Sequence, residues 1–571
     1  MKIVKRDGRT VDYDADKIRI AIGKANNEVA AGEKIGEEQI EEIIKYIELL
    51  DKKRMLVEDI QDIIEVKLME YGKYALAKKY IIYRYKRSII RQSNTTDASI
   101  LSIMKNGGVG ENNYLTADKQ RDLMASEASK DLAYRLLLPN NVVEDEKAGR
   151  IKFLNVEHFT EPIIESVKID LKSMFEEGTV INGIRIETPK SFQSAANVLV
   201  EIVGALRTCQ TGDIYIDLAD IFRYYDLSYE KKYAMYEALF KSSLSREQIR
   251  AIAETQSFLE VKTGIQTIFY QLNTFSFGAS ESSKVHFLID LNTIESEHDE
   301  KVVFEFVKQK VQGIVDEFGE CRITSLPSII LSVDYVSEQA KRYDYILNEI
   351  ESSEIEYMAM SPERFEDFKL QLKKFNQGSM LINLGKIALD AEDKADFYSL
   401  LEKSLSNCYE GFLCRNHNLQ GVYGEKSPIH WRHGAICRLA TNEKIDLLLK
   451  KDKSNMRLIC VGFEAACKIL DLSQEEKRQV RDMIEDTIKQ WNKENTFEVV
   501  VSNYCDDAEM KNLYSSLHRE LRKYDIDHYE DSFEFMKDNY FRSGLLYYMT
   551  EDKVENLDSE VLSSGFIVVK K

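Results

Sequence analysis

Five basic residues, Lys2, Lys5, Arg6, Arg9 and Lys17, gather around an Asp7-Gly8 pair at the start of a chain whose net charge is −19. A local knot of cations in an acidic protein suits one small polyanion, because guanidinium and ammonium groups meet phosphate oxygens through charge-assisted bonds. The overall acidity argues against a broad nucleic-acid footprint, which needs an extended basic face. Thiols supply the other reactive chemistry: Cys209, Cys321, Cys408, Cys414, Cys437, Cys460, Cys467 and Cys505. No two form a C-x-x-C pair, so a four-thiolate zinc site has no support. They read instead as small apolar core residues. His430 and His433, in "HWRH", stand three apart and would share a helical face as metal ligands can. No carboxylate signature accompanies them, so they read as structural. Asn273, in "QLNT", is a candidate polar contact. "NGGVGENN" is glycine-rich but lacks the preceding strand a phosphate loop requires, and reads as a connection.

The elements that must position these residues are legible from periodicity. "KIVKRDGRTVDY" gives two short strands around Asp7-Gly8, a hairpin signal. Asp14 or Asp16 caps the helix "DKIRIAIGKAN". Ile40, Ile43, Ile44 and Ile47 share one face of the next helix; Ile60, Ile63, Ile64 and Leu68 share one face of another. "YALAKKYIIYRYKRSII" makes a third long helix, so the first ninety residues form a hairpin lid on a helical bundle. Beyond it, "VHFLID", "SIILSVD", "LINLGKIAL" and "TFEVVV" are candidate strands. Intervening helices open at Ser245 with Gln248, Ser361 before Pro362, and Ser473 with Glu476. Strand–helix alternation over the rest of the 571 residues predicts an α/β layer or barrel. No internal repeat is visible. Hydrophobic residues make up 44% of the chain, ample for a large core, and six prolines with no Ser/Gly tract argue against long disordered linkers. The start lacks the apolar core of a signal peptide, and no apolar run approaches the roughly 20 residues of a membrane helix. A reducing cytoplasm is the expected compartment, with no membrane and no nucleic acid as partner.

The ordered set "VKRDGR", "DKI", "EDIQDII" and "A-KKYIIYRYKR" resembles the ATP-cone domain, the nucleotide sensor at the front of many ribonucleotide reductases. The resemblance implies that ATP or dATP binds as an effector within residues 1–93, with magnesium accompanying the nucleotide. Lys5, Arg6 and Lys17 would meet the phosphates and Lys86 and Arg87 would close over them. Val4, Ile18 and Ile22 would flank the adenine, and Asp14 would lie at the entry of the first helix. Val11 and Val57 stand where relatives often carry polar ligand residues, which leaves the preferred nucleotide and the number bound open.

Residues 94–571 resemble the anaerobic, class III ribonucleotide reductases block by block. "NNYLTADKQRDLMASEASKDLAYRLLLPNNVVEDEKAGRIKFLNVEHF" is similar to their entry segment. "TPKSFQSAANVLVEIVGALRTCQTGDIYIDLADIFRYY", "IQTIFYQLNTFSF", "ECRITSLPSIILSVD", "LINLGKIALDAEDKADFYSLLEKSL" and "GVYGEKSPIHWRHGAICRL" follow in family order. The resemblance implies a ten-stranded α/β barrel of the ribonucleotide reductase and glycyl-radical type behind the ATP cone.

That family's chemistry is a cysteine thiyl radical that abstracts a ribose hydrogen, and three of its parts are not found. The finger-loop interval, "YMAMSPERFEDFKLQLKKFNQGSMLINLGKIAL", holds no cysteine and reads as a charged amphipathic helix; no cysteine at all lies between positions 322 and 407. Ser166 and Val167 stand where the early-strand cysteine is expected. The C-terminus, "SEVLSSGFIVVKK", lacks the radical-glycine loop, leaving Gly565 as the nearest candidate. In addition "QYGG" has become "QTGD", placing Asp213 at a glycine position. The expectation is a catalytically silent relative with no catalytic and no metal residues, sensing an adenine nucleotide and acting through a homo-oligomer or a reductase subunit. The alternative is an active anaerobic ribonucleoside-triphosphate reductase whose radical site is divergent or supplied by a separate chain.

Overall fold

A computed structural model describes residues 2–4, 10–27, 29–50, 54–106, 117–275, 284–315, 318–324, 326–332, 345–346, 357–360, 365–366, 369–370, 372–502, 516–517, 521–524, 546–549 and 566–569. The chain divides into two compact units, residues 1–114 and 115–571.

In the first unit, β1 (Lys2–Val4) pairs antiparallel with β2 (Thr10–Asp12), as the hairpin reading predicts. The lid has a third strand that periodicity did not show: β3 (Arg54–Leu56) pairs parallel with β1. Three residues are too few to display a period of two, and only the long-range pairing makes them a strand. Four helices follow or intervene: α1 (Ala15–Asn26), α2 (Glu37–Leu49), α3 (Val57–Glu70) and α4 (Tyr74–Asn106). Asp14 is the cap of α1, its side chain accepting from the Asp16 amide at 3.1 Å. The helices bury the stripes their spacing predicts, Ile40, Ile43, Ile44 and Ile47 on α2 and Ile60, Ile64 and Leu68 on α3, against Ile3, Ile22 and Met55, with Ile63 only partly buried at the edge. Arg84 locks α4 to α3 through Glu58 at 2.8 Å, Asp62 at 2.5 Å and Glu65 at 2.9 Å. Helix α4 is 33 residues long, so the boundary expected at residue 93 falls inside it.

The second unit is built on β4 (Ile151–Phe153), β5 (Val167–Lys168), a hairpin of β6 (Thr179–Ile181) and β7 (Ile184–Ile186), β8 (Ile214–Asp217) and β9 (Val285–Asp290). Then come a hairpin of β10 (Ile314–Val315) and β11 (Cys321–Arg322), β12 (Ser328–Ser332), β13 (Tyr357–Met360), β14 (Phe375–Asn383), β15 (Ser454–Val461), β16 (Glu498–Ser502), β17 (Leu546–Met549) and β18 (Phe566–Val569). Five parallel strands, β5-β8-β9-β12-β13, extend through β18 and β17 into a seven-stranded sheet; β16-β15-β14-β4 form a four-stranded one. The two sheets join where Ser166 bridges antiparallel to Asn376. Among the described residues the two hairpins, β6-β7 and β10-β11, stand outside these joined sheets, and there is no single ladder of ten.

All nine residues of β14 are buried, and four of them, Asn376, Gln377, Ser379 and Asn383, are polar, so each needs a hydrogen-bond partner inside the protein. The run "LINLGKIAL" is strand only to Asn383. There the Asn383 side chain accepts from the Lys386 amide at 3.1 Å and starts a helix, Leu384–Asp390. Ser245/Gln248 and Ser473/Glu476 form the predicted capping boxes; Ser361 and Pro362 lie outside the described residues. Among the described residues, no helix is long and apolar enough to cross a membrane.

Candidate functional site

The first unit places the sequence-predicted nucleotide residues unevenly. Val4 ends β1; Lys5 and Arg6 lie outside the described residues, as do Asp7 and Gly8 of the turn. Lys17 is exposed on the first turn of α1, with its Nζ 3.5 Å from Asp14. An exposed pair of that kind is weak and exchanges readily for a stronger anion. Ile18 and Ile22 are both buried in the helical core, Ile22 completely. Lys86 and Arg87 belong to α4, and their side chains are outside the described residues. The structure therefore brings Asp14, Lys17 and Ile18 together at the start of α1, directly after the hairpin.

The second unit carries a polar cluster that the sequence analysis did not assemble. The residues come from the seam between the sheets. Glu165 and Ser166 lead into β5, Gly212 and Asp213 into β8, Tyr215 lies in β8, His286 in β9, Asn376 and Ser379 in β14, and Arg457 in β15. Glu165 accepts from the Ser379 hydroxyl at 2.8 Å through Oε1, while its buried Oε2 has no hydrogen-bond partner. Burial pushes the Glu165 carboxyl up, against the opposing pull of Arg457 and Ser379. Asp213 behaves oppositely. Burial alone would raise it, but His286, Arg457 and Lys284 outweigh that and hold it below its ordinary value. His286 Nε2 stands 3.5 Å from Asp213 Oδ2, within ion-pair range but without hydrogen-bond geometry. The His286 ring stacks on Tyr215 at 4.8 Å. Gly212 is required where it stands, because a Cβ there would sit 2.8 Å from the Glu165 carbonyl oxygen.

Of this cluster the sequence singles out Asp213, as a departure from glycine, and Ser166, at the place of an expected cysteine. Glu165, His286 and Arg457 were missed, and the signal was a lone charged or polar residue inside an apolar strand run: "IIESV", "VHFLID", "MRLIC". Ser166 and Val167, where a thiol was sought, form the bridge to Asn376 and the first residue of β5.

His430 is not arranged as a ligand. Gln210 Nε2 donates to the carbonyls of Gly212 and Asp213, each at 3.1 Å, so Gln210 Oε1 must face His430 Nε2 as an acceptor, at 2.9 Å. His430 Nδ1 then accepts from the Ser427 hydroxyl at 2.6 Å. The ring is neutral in this arrangement, and burial lowers its pKa to about 3. His433 is half-buried nearby and donates to no carboxylate among the described residues. Asn273 donates to the carbonyls of Phe269, 2.7 Å away, and Leu326, 2.8 Å away, a structural tie. Burial pushes Cys460 up to about 12 and Cys437 to about 11, poor settings for reaction; Cys408 and Cys467 are core residues too, whereas Cys321 is exposed on β11 and is not the core residue expected. Cys505 and Gly565 lie outside the described residues.

Comparison with known proteins matches the same two units. The family model described as anaerobic ribonucleoside-triphosphate reductase matches residues 110–501, and that of the ATP cone domain matches residues 1–89. Over 559 residues the chain is 23% identical to the anaerobic ribonucleoside-triphosphate reductase of Haemophilus influenzae, covering 88% of this chain and 77% of that protein. A vitamin B12-dependent ribonucleoside-diphosphate reductase of Thermoplasma acidophilum is 42% identical over 96 residues, covering 16% of this chain and 12% of that protein. The fold is similar to a crystal structure of the Thermotoga maritima anaerobic ribonucleotide reductase in complex with dATP and CTP, with a TM-score of 0.57 at 12% identity over 84% of this chain and 91% of that one.

Proposed function

The chain belongs to the anaerobic ribonucleoside-triphosphate reductase family and carries an ATP cone; from that premise we propose that it is a nucleotide sensor without radical catalysis. In this reading residues 1–93 bind ATP or dATP as an effector, with magnesium on the phosphates, and residues 94–571 report occupancy to a second copy or to a reductase subunit in the cytoplasm. Lys5, Arg6 and Lys17 hold the phosphates, Lys86 and Arg87 close over them, and Val4 and Ile18 border the base beside Asp14, whereas Ile22, expected there too, is wholly buried in the helical core behind them. The dATP in the Thermotoga structure is a ligand of that protein and supports the choice of an adenine nucleotide here. Coupling requires that the nucleotide bind two global states with different affinity.

The observation that carries the silent reading is the missing thiol. No cysteine lies between positions 322 and 407, the interval of the finger loop. The seam instead presents Glu165, Asp213, His286 and Ser379, groups suited to holding protons rather than unpaired electrons. A specific observation favours the other reading: the relatives matched along most of the chain are named as reductases. A working reductase would store its radical on a C-terminal glycine, for which Gly565 is the candidate.

Calorimetric titration with ATP and with dATP under reducing conditions tests the sensor. Saturable binding that Lys5→Ala with Arg6→Ala weakens, and that deletion of residues 1–91 abolishes, is the expected result. Undiminished binding in either variant places the nucleotide elsewhere. Electron paramagnetic resonance after anaerobic activation tests the silence: a glycyl signal lost in Gly565→Ala would establish the reductase reading instead.

A further inference from the structure

The two sheets of the second unit meet at Glu165, and we infer that this residue is a proton-dependent latch: a neutral carboxylic acid keys the seam, and ionisation loosens it. This goes beyond the nucleotide reading and does not depend on it.

The argument begins with the main chain. The Glu165 amide donates to the Asn376 carbonyl at 2.8 Å, and the Asn376 amide donates to the Ser166 carbonyl at 2.8 Å. The Gly212 amide donates to the Glu165 carbonyl at 2.6 Å. One residue thus touches β14 on one side and the entry to β8 on the other. Its side chain repeats the link to β14 through Ser379. The residue is only 9% exposed, and Oε2 is enclosed without a hydrogen-bond partner.

Every charged group facing this carboxyl bears on its protonation. Arg415, on the helix Lys394–Leu419, is committed elsewhere: it donates to the carbonyls of Gln377 at 2.9 Å, Phe159 at 3.3 Å, Glu161 at 3.1 Å and Ile163. Arg457, on β15, is shared with Asp213, which lies beside Gly212 and is itself held ionised. A charged Glu165 would therefore sit dry, with one hydroxyl donor, a divided cation and a like charge next to it. A neutral acid needs no counter-ion and keeps the Ser379 bond. Burial raises the folded-state pKa above the unfolded one. The sign follows: the contribution to stability is complete below the ordinary carboxylate value, about 4.3. It is lost as pH climbs from there through the raised folded value, at about tenfold in the unfolding constant per pH unit. Above that value the loss levels off.

The test uses the full chain and Glu165→Gln, which keeps the shape and the Ser379 contact but cannot ionise. Denaturant unfolding and amide exchange at Ser166, Gly212 and Asn376 are followed from acid to mildly alkaline pH. The expected result is a variant that gains on the wild type by about tenfold per pH unit through the window and then runs parallel, with faster wild-type exchange at the three amides at the upper end. A pH-independent difference, or one that moves in favour of the wild type as pH rises, would mean an ionised Glu165 paired with Arg457 and would overturn the latch. If the Gln variant does not fold, Ser379→Ala decides. Removing the donor that favours the charged form must carry the wild-type decline to higher pH, and an unchanged or shortened decline refutes the proposal.

Discussion

Arg415 places a full positive charge among main-chain carbonyls, and that choice sets what the seam can tolerate. Its guanidinium is completely enclosed, and burial lowers its pKa to about 10. Replacing it by Met removes a donor from the carbonyls of Glu161, Ile163 and Gln377, while that of Phe159 keeps the Asn418 side-chain amide at 2.6 Å, and unsatisfied buried acceptors cost about 1–3 kcal/mol each before relaxation. Arg415→Met is expected to destabilise the second unit by about 3 kcal/mol or more, read as a fall in the denaturant midpoint at unchanged slope. His430 gives a prediction of opposite pH sense to Glu165. Its folded pKa is depressed to about 3, while an unfolded histidine titrates near about 6.5. The contribution is complete above the unfolded value and is lost as pH falls toward the folded one. In His430→Asn the acid limb of the unfolding curve should lose one proton's worth of slope, checked by measuring stability against pH on the acid side. An unchanged slope would place the proton uptake on another residue.

Elements were legible wherever a period ran long enough to see. The faces of α2 and α3 are buried as spaced, and "VHFLID" is a strand over its full length. Local chemistry was legible too, because a cap acts across three residues: Ser473→Ala should cost about 1 kcal/mol, measured by urea unfolding, since it removes the acceptor for the Glu476 amide at 3.3 Å. What periodicity cannot carry is partnership across the sheet. Glu165 finds Ser379 at a separation of 214 positions, and a polar residue in an apolar run reads alike whether it faces a partner or a gap. The third strand of the lid and the end of "LINLGKIAL" at Asn383 were illegible for related reasons. One depends on a remote pairing, the other on a side chain capping its own backbone. The start of the first helix was legible at Asp14, whose side chain accepts from the Asp16 amide at 3.1 Å.

At the scale of the molecule, two units with separate cores respond separately to a ligand that binds one of them. A nucleotide at 100 times its dissociation constant stabilises the fold that holds it by about 2.7 kcal/mol. In differential scanning calorimetry, saturating ATP is expected to raise the transition of residues 1–114 by more than that of residues 115–571. A matched shift in both would mean that the units unfold as one. The family's barrel was legible as a series of blocks in order. The seam's acid–base cluster was not, because its members are single polar residues scattered along the chain from Glu165 to Arg457.

Helix α4 enters the core of the first unit through Leu76, Ala77 and Tyr80 and continues without a break to Asn106. At a rise of about 1.5 Å per residue it is a rod about 50 Å long. Arg84, gripped by three carboxylates, makes a fulcrum near its root, so a tilt of about 10° there sweeps the far end through several ångströms. Any displacement imposed near the root would reach the far end enlarged by leverage alone.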